Sequence, residues 1–433
     1  MNRIEKIGLL NALLFILIFF SVSFFNRFAE DDFLFLKTVE QKGIGLATFA
    51  HYQSWNTRWC AIAWLNSWYW LIDCGIPIFV FNWLSLVFMI FCFQSLLSKL
   101  DVPSLSMVGD FVPTKVGILA NLSLKRILFS ILFCICFFFC TFNIADAWFW
   151  LNSTTMYLWN IGFLCLAWSK LLKKEKLIIT DYIIIGVSGL YIGGASEPFL
   201  ITLLLSISVF VIHINQFGRK QFVHPKYAIV LLWLSIIVSF LIALHGSGHG
   251  ARSNVLPHTS LLSTITKSFY YTSKILVWHF PIHVFLLLLF SIPWFYLGYV
   301  NKSDLKPIKL FALYTKAIFL MIFLTYLNTL PIVYLMGDYG PSRAWTPISF
   351  YICIITAFLF FKTGQQLKIK YFNALRFFEL TGIITFCLLV VTGIYYVRTA
   401  SEYAKAYDDK KSFNKLPESG WLHSAKHGAT PTN

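Results

Sequence analysis

Residues 127–142 read ILFSILFCICFFFCTF, a stretch without a single charge. A strand of a membrane barrel would alternate apolar and polar residues with period two. A helix on the surface of a soluble protein would keep one polar face. This stretch does neither, so it reads as a helix that is apolar on every side. In hydrocarbon the backbone must satisfy its own hydrogen bonds, which leaves helices or closed barrels. Comparable apolar runs recur along the chain. Of its 433 residues, 58% are apolar and 12% are charged, where a soluble domain carries about a quarter charged residues. The expected fold class is therefore all-α, a polytopic membrane protein with about 11 transmembrane helices.

Working outward from 127–142, the expected spans are 7–25, 76–96, 127–143, 156–170, 178–195, 199–215, 227–244, 277–299, 310–330, 347–362 and 377–397. The first run follows Arg3 and Lys6, as in a signal peptide. It ends in SVSFFNRFAE without a small-residue cleavage site, so it reads as a retained helix. With the N-terminus inside, the inner loops and N-terminus hold 20 Lys/Arg and the outer loops between helices hold 8, as the positive-inside rule requires. The net charge of +16 is thereby explained by topology, and nucleic acid is not an expected partner. Residues 1–397 form the transmembrane domain. The tail, 398–433, is polar and is expected outside the membrane as a short interfacial helix followed by disorder.

Residues 55–72, WNTRWCAIAWLNSWYWLI, could make a twelfth span, but that would invert every later loop. Six tyrosines and tryptophans favour the headgroup boundary, so an interfacial helix on the outer surface is the preferred reading. Seven of the nine cysteines fall in apolar runs and read as small buried hydrophobes. Cys60 and Cys74 lie near an outer surface, where a disulfide is the minority reading. No Cys/His spacing resembles a zinc site. His245 and His249 sit among glycines that argue against a rigid pair of ligands.

The residues with chemical potential gather on the outer side. Glu30, Asp31 and Asp32 follow the first span directly. Three adjacent acids at a membrane boundary repel one another and need positive or polar partners; the bland alternative is a solvated helix stop. FLFLKTVEQKGIG, which follows, is helix-like, so Asp31 and Asp32 would sit at a helix start, where the dipole favours carboxylates. Further along the same loop, Trp55 and Arg58 occur in YQSWNTRW (52–59). Arg58 suits either an acid of the cluster or a phosphate, because its planar fork donates two bonds at once. Asp146, Trp148, Trp150, Asn152 and Tyr157 flank the second outer loop; aromatic faces and amides suit a sugar, or merely an aromatic belt. Glu197 lies in a tight outer turn. Arg252, in HGSGHGARSN (245–254), and Arg343, in GDYGPSRAWTP (337–347), are further phosphate candidates, with Asp338 placed to orient Arg343. Asp181 and Lys316 fall inside apolar spans near their inner ends and read as structural.

A first helix followed by an acidic cluster in AEDDFLF (29–35), then the Trp/Arg segment YQSWNTRW, WFWLNSTTMYLWN (148–160) and GGASEPF (193–199), resembles the C-type glycosyltransferase superfamily. The likeness is nearest to bacterial members with an Asp-Asp in the first outer loop. It covers the whole hydropathy layout, although its motifs are short. The resemblance implies an inverting enzyme of the bacterial inner membrane with its site facing outward. The donor would be a polyprenyl-phosphate sugar and the acceptor a glycan or lipid. Asp31 or Asp32 would be the general base. Glu30, Trp55, Arg58, Asp146, Asn152, Glu197, Arg252 and Arg343 would surround the substrates. It leaves open whether a divalent cation takes part. The chain lacks the large soluble C-terminal domain of some members, which turns the expectation away from a protein acceptor. A polysaccharide polymerase or ligase is the alternative, and would rely on basic residues of later loops. A lipid-linked-glycan transporter would need charges near the bilayer midplane and often an internal repeat. A structural subunit would be indifferent to loss of the acids.

Overall fold

The computed structural model describes residues 3–29, 31–54, 57–99, 115–173, 175–196, 200, 225–247, 260–300, 310–366 and 374–412. Every regular element among them is helical. In chain order these are α1 (Arg3–Phe24), α2 (Asp31–Ser54), α3 (Trp59–Asp73), α4 (Ile78–Leu97), α5 (Lys115–Cys140), α6 (Ile144–Trp148) and α7 (Leu151–Ser153). A π-helical turn (Thr154–Leu158) leads into α8 (Trp159–Leu171), followed by α9 (Ile179–Ala195), α10 (Pro225–Leu244) and α11 (Leu261–Lys274). The last are α12 (Phe280–Val300), α13 (Leu310–Met336), a short 3-10 turn (Ser342–Trp345), α14 (Thr346–Gln366) and α15 (Ala374–Ser412).

Among the described residues, 6 helices are long and apolar enough to cross a membrane: α1, α4, α10, α13, α14 with its preceding turn, and α15. Arg126–Cys140, Ile179–Ala195 and Leu286–Tyr299 are shorter apolar helices. The fold is thus compatible with a polytopic membrane protein. Leu10, Leu13 and Leu17 on α1, Val230 and Leu234 on α10, and Val391 and Ile394 on α15 all point outward. Apolar surfaces of that extent are consistent with a lipid bilayer around them. The expected span 199–215 lies, apart from Leu200, outside the described residues.

The stretch that decides the fold class occupies the centre. Phe133, Phe137, Phe138 and Phe139 of α5 are all buried. Phe138 meets Phe15 edge-on at 5.3 Å, and Phe137 meets Phe350 at 5.7 Å. Elsewhere the helices approach through small residues, as expected where lipid offers no hydrophobic drive to pack. A Cβ on Gly298 would lie 2.0 Å from the Phe361 carbonyl oxygen, and one on Gly364 would lie 2.2 Å from that of Phe295. The α12 and α14 backbones therefore touch, and neither glycine can be replaced without parting them.

The helix α3 has 15 residues. That is about 22 Å of helix at 1.5 Å per residue, short of the roughly 30 Å hydrocarbon thickness. It packs against α2, which bends at Gly43 (φ 71°), a conformation glycine adopts freely. Arg3 pairs with Glu379 at one end of α1, and Arg27 pairs with Asp408 beyond the other. So α1 and α15 run parallel, and a chain crossing with both crosses an odd number of times. The tail differs from its expected form. α15 passes residue 398 without a break and continues to Ser412, because TASEYAKAYDDKK is rich in helix formers. An Arg398–Glu402 pair at 2.7 Å adds i,i+4 support.

Candidate functional site around the acidic pair

The site begins with the turn that carries Trp150. Asn143 caps α6 by accepting the Asp146 N–H at 3.0 Å. The Asn82 amide donates to the carbonyls of Trp148 and Phe149 at 3.1 and 3.2 Å, and Asn26 donates to that of Phe149 at 2.7 Å. Asn26 and Asn82 are also bonded to each other at 3.0 Å. Two buried amides, one just past α1 and one in α4, thus fix the chain as it leaves α6. The indole of Trp150 is held in place as a result, and it divides the site into an acidic and a basic half.

On the acidic side stands Asp32, which is 0% exposed. The Trp150 Nε1–H donates to its Oδ1 at 3.1 Å, and the hydroxyl of Tyr69 from α3 donates to the same oxygen. The Ala29 N–H donates to Oδ2 at 2.8 Å. All three donors are neutral. They favour the charged carboxylate, but burial outweighs them, and the Asp32 carboxyl is pushed up to about 7. Burial also pushes the Tyr69 phenol upward, so it remains a donor. Asp31, its neighbour at the start of α2, is exposed. Asn152 Nδ2 lies 3.5 Å from Asp31 Oδ2, and Asn152 Oδ1 is buried without a hydrogen-bond partner.

On the basic side the Arg343 guanidinium lies over the Trp150 ring, 4.4 Å from its centroid. Such a cation–π contact is worth about 0.5–2 kcal/mol, depending on desolvation. Arg343 Nη1 stands 3.8 Å from Asp146 Oδ2. Ser342, beside it in the 3-10 turn, accepts from Asn143 Nδ2 at 3.1 Å. Asp338 does not take the orienting role expected of it: its carboxylate caps its own turn by accepting the Gly340 N–H at 2.8 Å, and Asp146 stands beside Arg343 instead. Arg343 is a quarter exposed, so its outer face is open to a ligand.

Five of the expected site residues therefore meet around one tryptophan: Asp31, Asp32, Asp146, Asn152 and Arg343. Arg58 is buried, and its Nη1 lies 3.0 Å from the sulfur of Met156 in the π-helical turn just beyond Asn152. That turn is held open by Tyr191, whose hydroxyl donates to the Thr155 carbonyl at 2.8 Å. Insertions of this kind are frequent at functional sites. Glu30, Trp55, Glu197 and Arg252 lie outside the described residues. Sequence reasoning missed Tyr69 as a partner of the acid, since it stands in an aromatic run that reads equally well as a membrane belt.

A hard divalent cation takes six or more oxygens. Both oxygens of Asp32 already accept from donors, and Asp31 Oδ2 lies 3.5 Å from Asn152 Nδ2. Elsewhere, Cys136, Cys140 and Cys353 bring their sulfurs within 4.8 Å of one another. They lie inside α5 and α14, buried among phenylalanines, and serve there as small hydrophobes. All nine cysteines are free, including Cys60 and Cys74. No protein-family model matches the sequence, and no curated protein matches it.

Proposed function

We propose that the protein is an inverting membrane glycosyltransferase of the C type. It would cross the bacterial inner membrane eleven times, and the parallel run of α1 and α15 supports an odd count. In this reading a polyprenyl-phosphate sugar enters from the bilayer, and its phosphate meets Arg343. An acceptor hydroxyl on a glycan or lipid approaches from outside. Asp31 takes the hydroxyl proton as its oxygen bonds to the anomeric carbon. The bond from that carbon to the phosphate oxygen breaks, and the phosphate leaves with the electron pair, stabilised by the guanidinium.

The observation that carries this reading is the division of labour between adjacent acids. Asp31 is exposed and able to touch an acceptor, while Asp32 is buried and held by three donors. Asp32 then acts as a positioning residue, tying the start of α2 to α3 and to Trp150. The test is transfer by purified protein in nanodiscs with a panel of polyprenyl-phosphate sugars. Asp31→Asn is expected to lose about 10²–10⁴-fold in turnover with donor binding retained. Wild-type turnover in both Asp31→Asn and Asp32→Asn would remove the acids from the mechanism and overturn the reading.

A further inference from the structure

The helix α11 has faces of different character. Thr264, Ser268 and Thr272, four residues apart, are buried, and Thr272 meets Thr329 of α13 at 3.2 Å. Leu262 and Phe269, seven apart, are exposed on one flank. Lys267 and Lys274, also seven apart, stand on the other, because the two residues from Lys267 to Phe269 turn a helix through about 200°. The lysine flank meets the loop that carries Arg343. Lys267 Nζ donates to the Gly337 carbonyl at 3.2 Å, and Lys274 Nζ stands 5.2 Å from the centre of the Tyr339 ring. Tyr271, between the two lysines on the same flank, lies 5.5 Å from Tyr339, ring to ring.

The turn that presents Tyr339 is fixed. Gly337 and Gly340 bracket it with φ of 75° and 70°, and a Cβ on Gly340 would lie 2.5 Å from Ile332 Cγ2 of α13. Tyr339 is nonetheless 38% exposed. The charge of this surface is unbalanced. Asp338, the acid of the turn, accepts the Gly340 N–H and makes no ion pair with either lysine. No oxygen among the described residues accepts from the Lys274 ammonium. Two ammonium groups beside two phenol rings suit a ligand that offers both negative charge and an apolar ring face. An acidic sugar chain does so, with its carboxylates for the lysines and its pyranose faces for the tyrosines. An acyl lipid would lie along Leu262 and Phe269, the flank from which the lysines turn away.

We propose that Lys267, Tyr271, Lys274 and Tyr339 form a binding site for an acidic glycan, and that this glycan is the acceptor. Tyr339 stands four residues before Arg343 on the same loop, so a chain held here runs on towards the arginine. The role of acceptor rests on the transferase reading; the binding does not.

Calorimetric titration of the full chain in phosphatidylcholine nanodiscs, with no donor present, tests it. The probes are trigalacturonic acid and its neutral counterpart galactotriose. The acidic sugar should bind about ten-fold more tightly, and about 0.5 M salt should remove most of that preference. Lys267→Gln and Lys274→Gln should each weaken it about two- to five-fold, the effect of one exposed ion pair. Tyr339→Ala should weaken both sugars about ten-fold through the lost ring face. Lys316→Gln, near the other end of α13, should bind as wild type does. Equal affinity for the two sugars, or wild-type binding by the Lys267→Gln, Lys274→Gln double variant, overturns the site. Displacement by an equal concentration of inorganic phosphate, or by phosphatidylglycerol built into the nanodisc, overturns the choice of occupant. Because no donor is present, failure of transfer leaves this binding standing, and loss of this binding leaves the roles of Asp31 and Arg343 untouched.

Discussion

Asp32 and Asp181 are built into the chain in the same way and put to different ends. Each stands in the first turn of a helix and reaches back to the backbone three residues upstream. Asp32 Oδ2 accepts the Ala29 N–H at 2.8 Å, and Asp181 Oδ2 accepts the Ile178 N–H at 3.1 Å. In each case the aspartate N–H returns a bond to the same residue, at 2.7 and 2.9 Å. This is the acidic half of a capping box, and it is local in origin. What differs is the tertiary partner. Lys170 and Lys173 bring ammonium groups to within 3.1 and 2.8 Å of Asp181, making a closed ion pair at the start of α9. Asp32 receives only an indole and a phenol, and beside it lies a second, exposed carboxylate. An acid matched by cations holds a helix in place. An acid matched by neutral donors, with an exposed carboxylate beside it, holds its helix start while that neighbour stays open to a ligand.

The largest effect that would break this contrast is on turnover. Asp31→Asn should cost about 10²–10⁴-fold, whereas Asp181→Asn should leave turnover per folded molecule unchanged; parity between the two, measured by donor consumption, would erase the distinction. Next comes the pH dependence of stability. The folded Asp32 carboxyl lies at about 7 and the ordinary value is 3.8. Between those values the folded state holds the proton and the unfolded state does not, so stability falls as pH rises from about 4 to about 7 and then levels off. The shift corresponds to a loss on the order of 4 kcal/mol, at 1.36 kcal/mol per pH unit. Asp32→Asn should flatten that slope, read as the difference in unfolding midpoint between pH 5 and pH 8. A third effect belongs to Asp181. Its loss should destabilise by about 1.5–3 kcal/mol, the range of hydrogen bonds to charged groups, and thermal unfolding at neutral pH would show it.

Much of this was legible before any coordinates. The all-apolar run 127–142 reads as a central helix because nothing in it could face water, and Phe137, Phe138 and Phe139 are indeed all buried. The acidic cluster and Arg343 stand out because charge is rare in this chain. α2 begins at Asp31, where the helix-like continuation placed it. The pairings were not legible, because they are set by long-range packing. Tyr69 is 37 residues from Asp32 and Trp150 is 118 away, and neither residue type marks an acid's partner in a chain full of aromatics. Asp338 is the nearer acid to Arg343 in sequence, yet a local turn takes up its carboxylate and Asp146 stands by the arginine. The bend at Gly43 divides a stretch whose periodicity alone runs straight through.

The smallest effect concerns the C-terminal end of α15, which packs beside the start of α2. Arg27 grips Asp408 with two bonds, Nε to Oδ1 at 3.1 Å and Nη2 to Oδ2 at 2.9 Å. Phe33, next to Asp32, stacks at 6.4 Å on Tyr407. The pair is well aligned, but Asp408 is 55% exposed and Arg27 is 28% exposed, so solvent screens it. Bidentate geometry gives orientation more than energy in water. Asp408→Asn should therefore cost only about 0.2–1 kcal/mol, and 1 M salt should remove most of the difference from wild type. Tyr407 is nearly fully buried, and its ring is held by packing that screening does not touch. Tyr407→Ala should accordingly cost more than Asp408→Asn and should be insensitive to salt. If salt instead abolished both effects, the end of α15 would be tethered by charge alone, and Tyr407 would not be a fixed neighbour of Phe33.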